Sequence, residues 1–394
     1  MSLPNRKFPE LDHVEQEHME FVTHMLQQQI SSAQGKIPFS EYMNMALHAP
    51  EYGYYNSGCR KIGEGGDFIT APELGSLFGA CVANQCNEAL HQLSGGSILE
   101  LGAGSGALCA QILERLSKVD CPLDTYYILE TSGDLRQRQQ EFIRSTCVNA
   151  DKVFWLDNLD GFSLHGIVIA NEVFDALPVD RFEVGIEGFS FLDVEVIGSN
   201  FEWVKTFHKA TNHGIDKIID RYGLTEGYCS EYCPSASALL KTLSTILQCG
   251  YCLFVDYGYS GSEYYHPQRN DGTLRCHFKH LAHNDPLIFP GLQDITAHVD
   301  MTALAETAIA SDLDLIGFID QANFLVNAGL MDELLDLNLS VEAQMSLSNE
   351  IKRLTLPSQM GEVFKVLALG KSVEHGLSAF RNGNRIHSLQ LQEA

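Results

Sequence analysis

The sequence predicts an α/β fold: a Rossmann-like, mostly parallel sheet of about seven strands with helices on both faces. A helical N-terminal extension precedes the sheet and a β-containing subdomain interrupts it. Three observations predict this. From Ser97 onward, short apolar runs alternate with amphipathic stretches of helical length. The glycine-rich turn Gly102-Ala103-Gly104-Ser105-Gly106 closes the first run and opens a helix. After Pro178 the alternation gives way to short, period-two segments typical of antiparallel strands.

In chain order, Val14, Phe21, Val22, Met25, Leu26 and Ile30 recur at helical spacing and predict a lead helix over residues 11–34. Ser40 reads as the N-cap of a short helix through Ala46. The Gly- and aromatic-rich stretch 50–68 reads as loop. Thr70-Ala71-Pro72-Glu73 matches a capping box with Pro in the first turn, opening a helix to about Leu93.

Strands are then expected at 97–101, 125–129, 153–156 and 166–170, with helices at 107–117 and 135–145. An insertion occupies about 181–234, with strands at 189–191 and 201–204. Helix 235–248 and strand 251–256 resume the alternation. Residues 257–298, rich in Gly, His, Asp and Pro but also in aromatics, read as an ordered lid. Helix 299–310 and strands 313–319 and 363–369 close the chain. The expected organisation is thus a helical extension at 1–93 that covers the glycine turn, followed by the sheet domain at 94–394.

The bulk numbers narrow the function classes. Hydrophobic residues make up 45% of the 394 and charged residues 20%, as in ordinary globular proteins. Acidic side chains outnumber Lys and Arg by 51 to 26, for a formal net charge of -25. Such a surface repels phosphate backbones and excludes nucleic acid as a partner. It attracts cations, including an arginine-rich protein segment, although acidity also simply serves solubility. No apolar run reaches the length of a membrane span, so no membrane insertion is expected. The opening MSLPNRKFPE carries neither an apolar h-region nor an amphipathic presequence, which points to the cytoplasm.

The eleven cysteines are scattered through hydrophobic segments and read as reduced thiols. Cys229, Cys233, Cys249 and Cys252 have the spacing of a four-thiolate zinc site. Cys249 and Cys252 open a strongly apolar strand, however, so buried free thiols and no metal are expected.

The glycine turn carries the main chemical signal. Glycines admit positive φ and close backbone approach, and the helix behind them offers free N–H groups. Taken alone, Gly102-x-Gly104-x-x-Ala107 also satisfies the dinucleotide fingerprint. Glu100 tips the balance towards S-adenosyl-L-methionine, because its carboxylate suits the cationic amino end of a methionine moiety and repels a pyrophosphate. Gly106, two residues after Gly104, gives the G-x-G-x-G spacing usual in methyltransferases. Glu130, ending the next strand, can accept both ribose hydroxyls of either cofactor. Asp157 is a candidate partner for the adenine amino group, with a plain turn aspartate as the alternative. Ala103, Asn171 and Thr70 complete the candidate cofactor contacts, and Asp67 and Glu73 flank Thr70.

Longer motifs carry a family resemblance along nearly the whole chain. They are Phe39-Ser40-Glu41-Tyr42-Met43, Gly53-Tyr54-Tyr55, and Gly66-Asp67-Phe68-Ile69-Thr70-Ala71-Pro72-Glu73 near the start. Asn171-Glu172-Val173-Phe174-Asp175-Ala176-Leu177-Pro178-Val179 and Asp256-Tyr257-Gly258 follow, then Gly272-Thr273-Leu274-Arg275-Cys276. Gln293-Asp294-Ile295-Thr296-Ala297-His298-Val299-Asp300 and Met360-Gly361-Glu362-Val363-Phe364-Lys365-Val366 complete the set. In these the chain resembles the MidA-like methyltransferases, which include a mitochondrial complex I assembly factor. One departure is Met301, where the family usually has Phe. The resemblance implies a class I methyltransferase fold and S-adenosyl-L-methionine as cofactor. It also implies methylation of a protein arginine, in the eukaryotic member on a respiratory-complex subunit, with a mitochondrial matrix location where a presequence has been removed.

An arginine acceptor needs carboxylates, because guanidinium stays protonated at cellular pH and is best aligned by bidentate hydrogen bonds. Glu172, after the fourth strand, is the leading candidate, with Asp175 one helical turn on and Asp256 ending the fifth strand. Local pairing is the alternative for Asp175, and holding backbone N–H groups is the alternative for Asp256. His298 is a candidate proton acceptor or a helix-start residue. Two other functions remain open at this point: transfer to a small-molecule nitrogen or oxygen, and an assembly factor that binds the cofactor and acts by holding a partner subunit.

Overall fold

The computed structural model describes residues 8–57, 69–208, 214–334 and 340–392. They divide into two compact units, each assembled from separated stretches of chain.

The larger unit takes Ile69–Asp175, Pro234–Tyr264 and the chain from His298 on. Its sheet contains β1 (Gly96–Leu101), β2 (Leu123–Leu129), β3 (Val153–Leu156), β4 (Leu164–Asn171), β5 (Leu247–Tyr259), β6 (Asp314–Asp320) and β7 (Phe364–Lys371). The order across the sheet is β3-β2-β1-β4-β5-β7-β6. Strands β1 to β5 pair in parallel, and β7 runs antiparallel to both neighbours. This is the class I methyltransferase sheet. A further short strand, Val299–Asp300, pairs in parallel with the end of β5.

The inner strands read as unbroken apolar runs because helices cover both faces. Ile167, Val168, Ile169 and Ala170 of β4 and Tyr251 through Val255 of β5 are all buried. Helix Ala107–Ser117 follows the glycine turn and buries Leu108, Cys109, Ile112, Leu113 and Leu116, one stripe at helical spacing. Helix Gly133–Thr146 starts at Ser132, whose hydroxyl accepts from the Leu135 N–H.

The expected boundary after residue 93 differs from the observed partition. Helix Leu77–Gln92 packs Phe78, Cys81, Val82 and Cys86 into the same core as Ile98 and Tyr126 of the sheet. It therefore belongs to the sheet unit, and the N-terminal segment that does not ends at residue 68. The expected capping box at Thr70 is absent. Thr70 is the N-cap of a helix of only four residues, Ala71–Leu74, and its side chain makes no capping bond. Glu73 is occupied elsewhere, as described below.

The smaller unit takes the N-terminal segment, Ala176–Cys233 and Tyr265–Ala297. The expected insertion is an antiparallel sheet of Asp180–Gly185, Gly188–Ile197, Asn200–His208 and Cys229–Tyr232. Lys36–Ile37 adds to it, opposite Glu195 and Val194. Most of the expected lid folds here as a second sheet of Arg275–Phe278, Leu281–His283 and Asp294–Thr296. Helix His13–Ser32 presents Val22, Leu26 and Ile30 to a core shared with Tyr42, Val194, Cys276 and Ile295. Ser40 is not an N-cap. Pro38 holds the N-cap position of helix Phe39–His48, and the Ser40 hydroxyl instead donates to Asp180.

The four cysteines with zinc-like spacing separate between the units. Cys229 and Cys233 belong to the smaller one, and Cys249 and Cys252 lie on β5. Among the described residues no group of three or more His, Cys, Asp or Glu could hold a metal. None of the described helices is long and apolar enough to cross a membrane.

Candidate functional site

The register of the sheet brings the candidate residues of the larger unit to one edge. Leu101 of β1 lies opposite Leu129 and Ala170, Leu129 lies opposite Leu156, and Asn171 lies opposite Val255. The carboxyl ends of five parallel strands therefore align. β1 sits where the chain turns back to fill the other half of the sheet, the point where open α/β sheets bind ligands.

At that edge Gly102, Gly104 and Gly106 all have positive φ, at 59°, 55° and 86°. Gly106 is the residue from which helix Ala107–Ser117 starts, and a Cβ there would lie 3.3 Å from Ile143 Cδ1. The turn is tied down on both sides. The Gly102 N–H donates to Leu129 O at 2.9 Å, and the buried amide of Gln139 donates to Gly104 O, also at 2.9 Å. The Ser105 hydroxyl donates to Glu73 and its oxygen accepts from the Ala107 N–H at 3.2 Å. The roles of Gln139 and Ser105 were missed in the sequence, since Gln139 lies 35 residues from Gly104 and Ser105 is paired with Glu73, 32 residues away. Ala103 is buried within the turn.

Glu100 is only 2% exposed and accepts the Tyr126 hydroxyl at 2.7 Å. Burial pushes its carboxyl up to about 7, Tyr126 pulls it down, and Glu130 raises it further. No ion pair among the described residues reaches it. A buried carboxylate of this kind suits a cationic ligand. Glu130 is also buried, and burial raises its pKa. One oxygen accepts the Ser132 N–H and the other the Gln139 amide, each at 2.9 Å. Each carboxylate oxygen can accept a further hydrogen bond, as a ribose diol requires. Gln139 in turn accepts from the Trp155 indole N–H at 3.0 Å.

Asp157 stands after β3, with its side chain 82% exposed and ion-paired to Arg136. Thr70 is half-buried at the start of its short helix, and Asp67 lies outside the described residues.

The segment after β4 is shaped from β5. Asp256, 1% exposed, accepts the N–H groups of Val173, Phe174 and Asp175 on Oδ2 at 3.2, 2.8 and 3.4 Å. Its Oδ1 accepts from Tyr257 N at 2.8 Å. Burial and the neighbouring Glu172 charge push Asp256 up to about 8, against the pull of these donors. Glu172 adopts a left-handed φ of 54°, rare outside glycine, and its N–H donates to Val255 O at 2.9 Å. The Asn171 amide donates to Glu172 Oε1 at 3.2 Å, while Asn171 Oδ1 is buried and has no partner among the described residues. Such an acceptor at the mouth of the sheet suits a ligand donor. Asp175 is buried. His298 stacks on Tyr259 with centroids 5.0 Å apart and planes 7° apart.

Glu100, the glycine turn, Glu130, Asn171 and Glu172 thus meet at one edge and fit a nucleoside carrying an ammonium group. Comparison with known proteins agrees. Residues 81–319 match the family described as "putative S-adenosyl-L-methionine-dependent methyltransferase". The mitochondrial protein arginine methyltransferase NDUFAF7 of Danio rerio is 31% identical, over 86% of this chain and 84% of the relative. Its Homo sapiens counterpart is 27% identical over 85% and 80%. A Burkholderia thailandensis protein crystallised with S-adenosyl-homocysteine is 37% identical, with a TM-score of 0.92, covering 97% of this chain and 100% of that one.

Proposed function

The chain belongs to this family of S-adenosyl-L-methionine-dependent methyltransferases, and from that premise we propose that it methylates an arginine nitrogen on a protein. S-adenosyl-L-methionine is the cofactor, and when bound it supplies a methyl group activated on a sulfonium. Gly102, Ala103, Gly104 and Gly106 would cradle it, with Glu100 facing its ammonium group and Glu130 its ribose hydroxyls. Asn171 Oδ1 and Thr70 would add polar contacts, and Asp157 would meet the adenine amino group.

The observation that carries the acceptor assignment is the pinned conformation of Glu172. A non-glycine residue in the left-handed region is strained, and such strain clusters at functional sites. Here the backbone is held by Val255 O, the side chain by Asn171, and the following turn by Asp256. Glu172 would accept guanidinium N–H groups and align one nitrogen, and its charge would stabilise the guanidinium as a proton leaves. Asp256 spends both oxygens on backbone donors and would act as a positioning residue, with Asp175 packed beside it. His298, close to the end of β5, would be the proton acceptor. The relatives are named protein arginine methyltransferases, and with the net charge of -25 this supports a cationic protein substrate.

The test is transfer of labelled methyl into a lysate, followed by mapping of the modified residue. Label on protein arginine supports the reading. Label confined to small metabolites replaces it with a small-molecule acceptor, and cofactor binding with no transfer to any component replaces it with an assembly role. Glu172→Gln should keep S-adenosyl-homocysteine binding and lower transfer by about 100-fold or more. A variant with full transfer would remove Glu172 from the mechanism.

A further inference from the structure

Helix Val341–Thr355 lies far along the chain from the glycine turn and outside the family-matched segment. Its sequence gives no hint of a functional role, yet Glu350 on it is more than nine-tenths buried. Glu350 Oε1 accepts the N–H of Leu77 at 2.8 Å. Leu77 is the first residue of helix Leu77–Gln92, and Ser76, in the N-cap position, makes no side-chain capping bond. A carboxylate from a distant helix therefore does the work that a local Ser, Thr or Asp ordinarily does. Gly75 makes room for it, because a Cβ there would lie 2.0 Å from Glu350 Oε2.

On its other side, the same short segment is tied to the glycine turn. The Gln111 amide, on the helix that follows the turn, donates to Pro72 O at 2.8 Å and to Gly75 O at 2.9 Å. Glu73 accepts the Ser105 hydroxyl, and Ser105 accepts the N–H of Ala107 in the first turn of that helix. Residues 72–77 are thus fastened inwardly by Ser105 and Gln111 and outwardly by Glu350.

We propose that Glu350 is a positioning residue for the cofactor site, acting through Leu77 and Glu73 to hold Ser105 and the glycine turn in binding geometry. The inference rests on the assignment of the glycine turn to the cofactor. With Glu350 removed, the Leu77 N–H loses its acceptor, the 72–77 segment loosens, and Ser105 loses a fixed partner.

The test measures S-adenosyl-homocysteine binding by calorimetry on the full chain carrying Glu350→Ala, Glu350→Gln or Gly104→Val. Glu350→Ala should raise the Kd about tenfold and speed hydrogen exchange at the Leu77 amide. Glu350→Gln keeps an acceptor oxygen and should restore the Kd to within about twofold of the parent. A purely structural role for Glu350 would move the Tm and leave the Kd of the folded fraction unchanged. Should Glu350→Ala fail to fold, Glu350→Asp withdraws the carboxylate by one methylene and should show the same loss of affinity. A folded Glu350→Ala or Glu350→Asp with unprotected Leu77 and parental Kd overturns the proposal. Gly104→Val separates the two layers. If it abolishes binding while the Glu350 variants bind normally, only the role of Glu350 fails. If Gly104→Val binds normally, the assignment of the glycine turn fails and the Glu350 proposal with it.

Discussion

Asp256 Oδ2 lies 2.8 Å from the backbone nitrogen of Phe174, and through this bond the end of β5 fixes the turn that leaves β4. The neighbouring N–H groups of Val173 and Asp175 converge on the same oxygen. One buried carboxylate therefore sets the backbone on which Glu172 stands.

Asp256→Asn should lower stability by ~1–3 kcal/mol, because an amide offers a single acceptor oxygen to donors that now share two. Thermal unfolding would show it as a lower Tm. Transfer should fall more than S-adenosyl-homocysteine affinity, because the loosened segment carries Glu172 and not the glycine turn. An unchanged Tm would mean that these backbone bonds contribute nothing.

Cofactor affinity should depend on pH through Glu100. With its carboxyl held at about 7 by burial, the folded state takes up a proton more readily than the unfolded chain. Stability from this group is complete below the ordinary carboxylate range and is lost as pH rises towards the folded value. Affinity for the cofactor's ammonium group runs the opposite way, since it needs the ionised form. Calorimetry between about pH 6 and pH 8 should show an increase of up to about tenfold in S-adenosyl-homocysteine affinity, flattened by Glu100→Gln. A parental pH profile in that variant would rule Glu100 out.

Gln139 offers a spectroscopic handle. It joins Glu130, Gly104 O and the Trp155 indole in one buried set of hydrogen bonds. The chain has two tryptophans, so a Trp203→Phe background isolates Trp155. In that background Gln139→Leu should shift Trp155 emission and weaken S-adenosyl-homocysteine binding by about tenfold. A shift without loss of affinity would separate the indole from the cofactor site.

Gly106→Ala should cost ~1–2 kcal/mol from its left-handed φ, with a further steric cost against Ile143 Cδ1 at 3.3 Å. Adding Ile143→Val removes that methyl and should recover only the steric part. Denaturant unfolding of the two single variants and the double variant measures the split. Full recovery in the double variant would show that φ contributes nothing.

Six of the seven main strands were legible in the sequence to within about two residues, because their apolar runs are short and local, whereas β5 begins at Leu247, inside the stretch expected as helix 235–248. The glycine turn, Glu100 and Glu130 were legible for a related reason: their spacing is local and the strand–turn–helix context is short. What escaped were roles set by partners far away in sequence. Ser40 and Thr70 both looked like caps, yet the Ser40 hydroxyl donates to Asp180 and the Thr70 side chain makes no capping bond. Asp256 could be placed at a strand end, but the three N–H groups converging on it appear only once β4 and β5 are paired. Helix Val341–Thr355 was missed although Leu347, Ile351 and Leu354 recur at helical spacing and pack on the core. The partition at residue 68 was equally hidden, since the deciding pattern is which core a helix face enters.

The discontinuous smaller unit has a consequence for biosynthesis. Lys36–Ile37 pairs with Val194 and Glu195, and helix His13–Ser32 shares its core with Cys276 and Ile295. On the ribosome, the apolar stripe Val22-Leu26-Ile30 emerges first and waits for partners encoded up to Ala297. At about 5–20 residues per second that delay lasts tens of seconds, an interval in which an uncovered helix invites aggregation. The smaller unit therefore cannot complete its core until the last quarter of the sequence is being made.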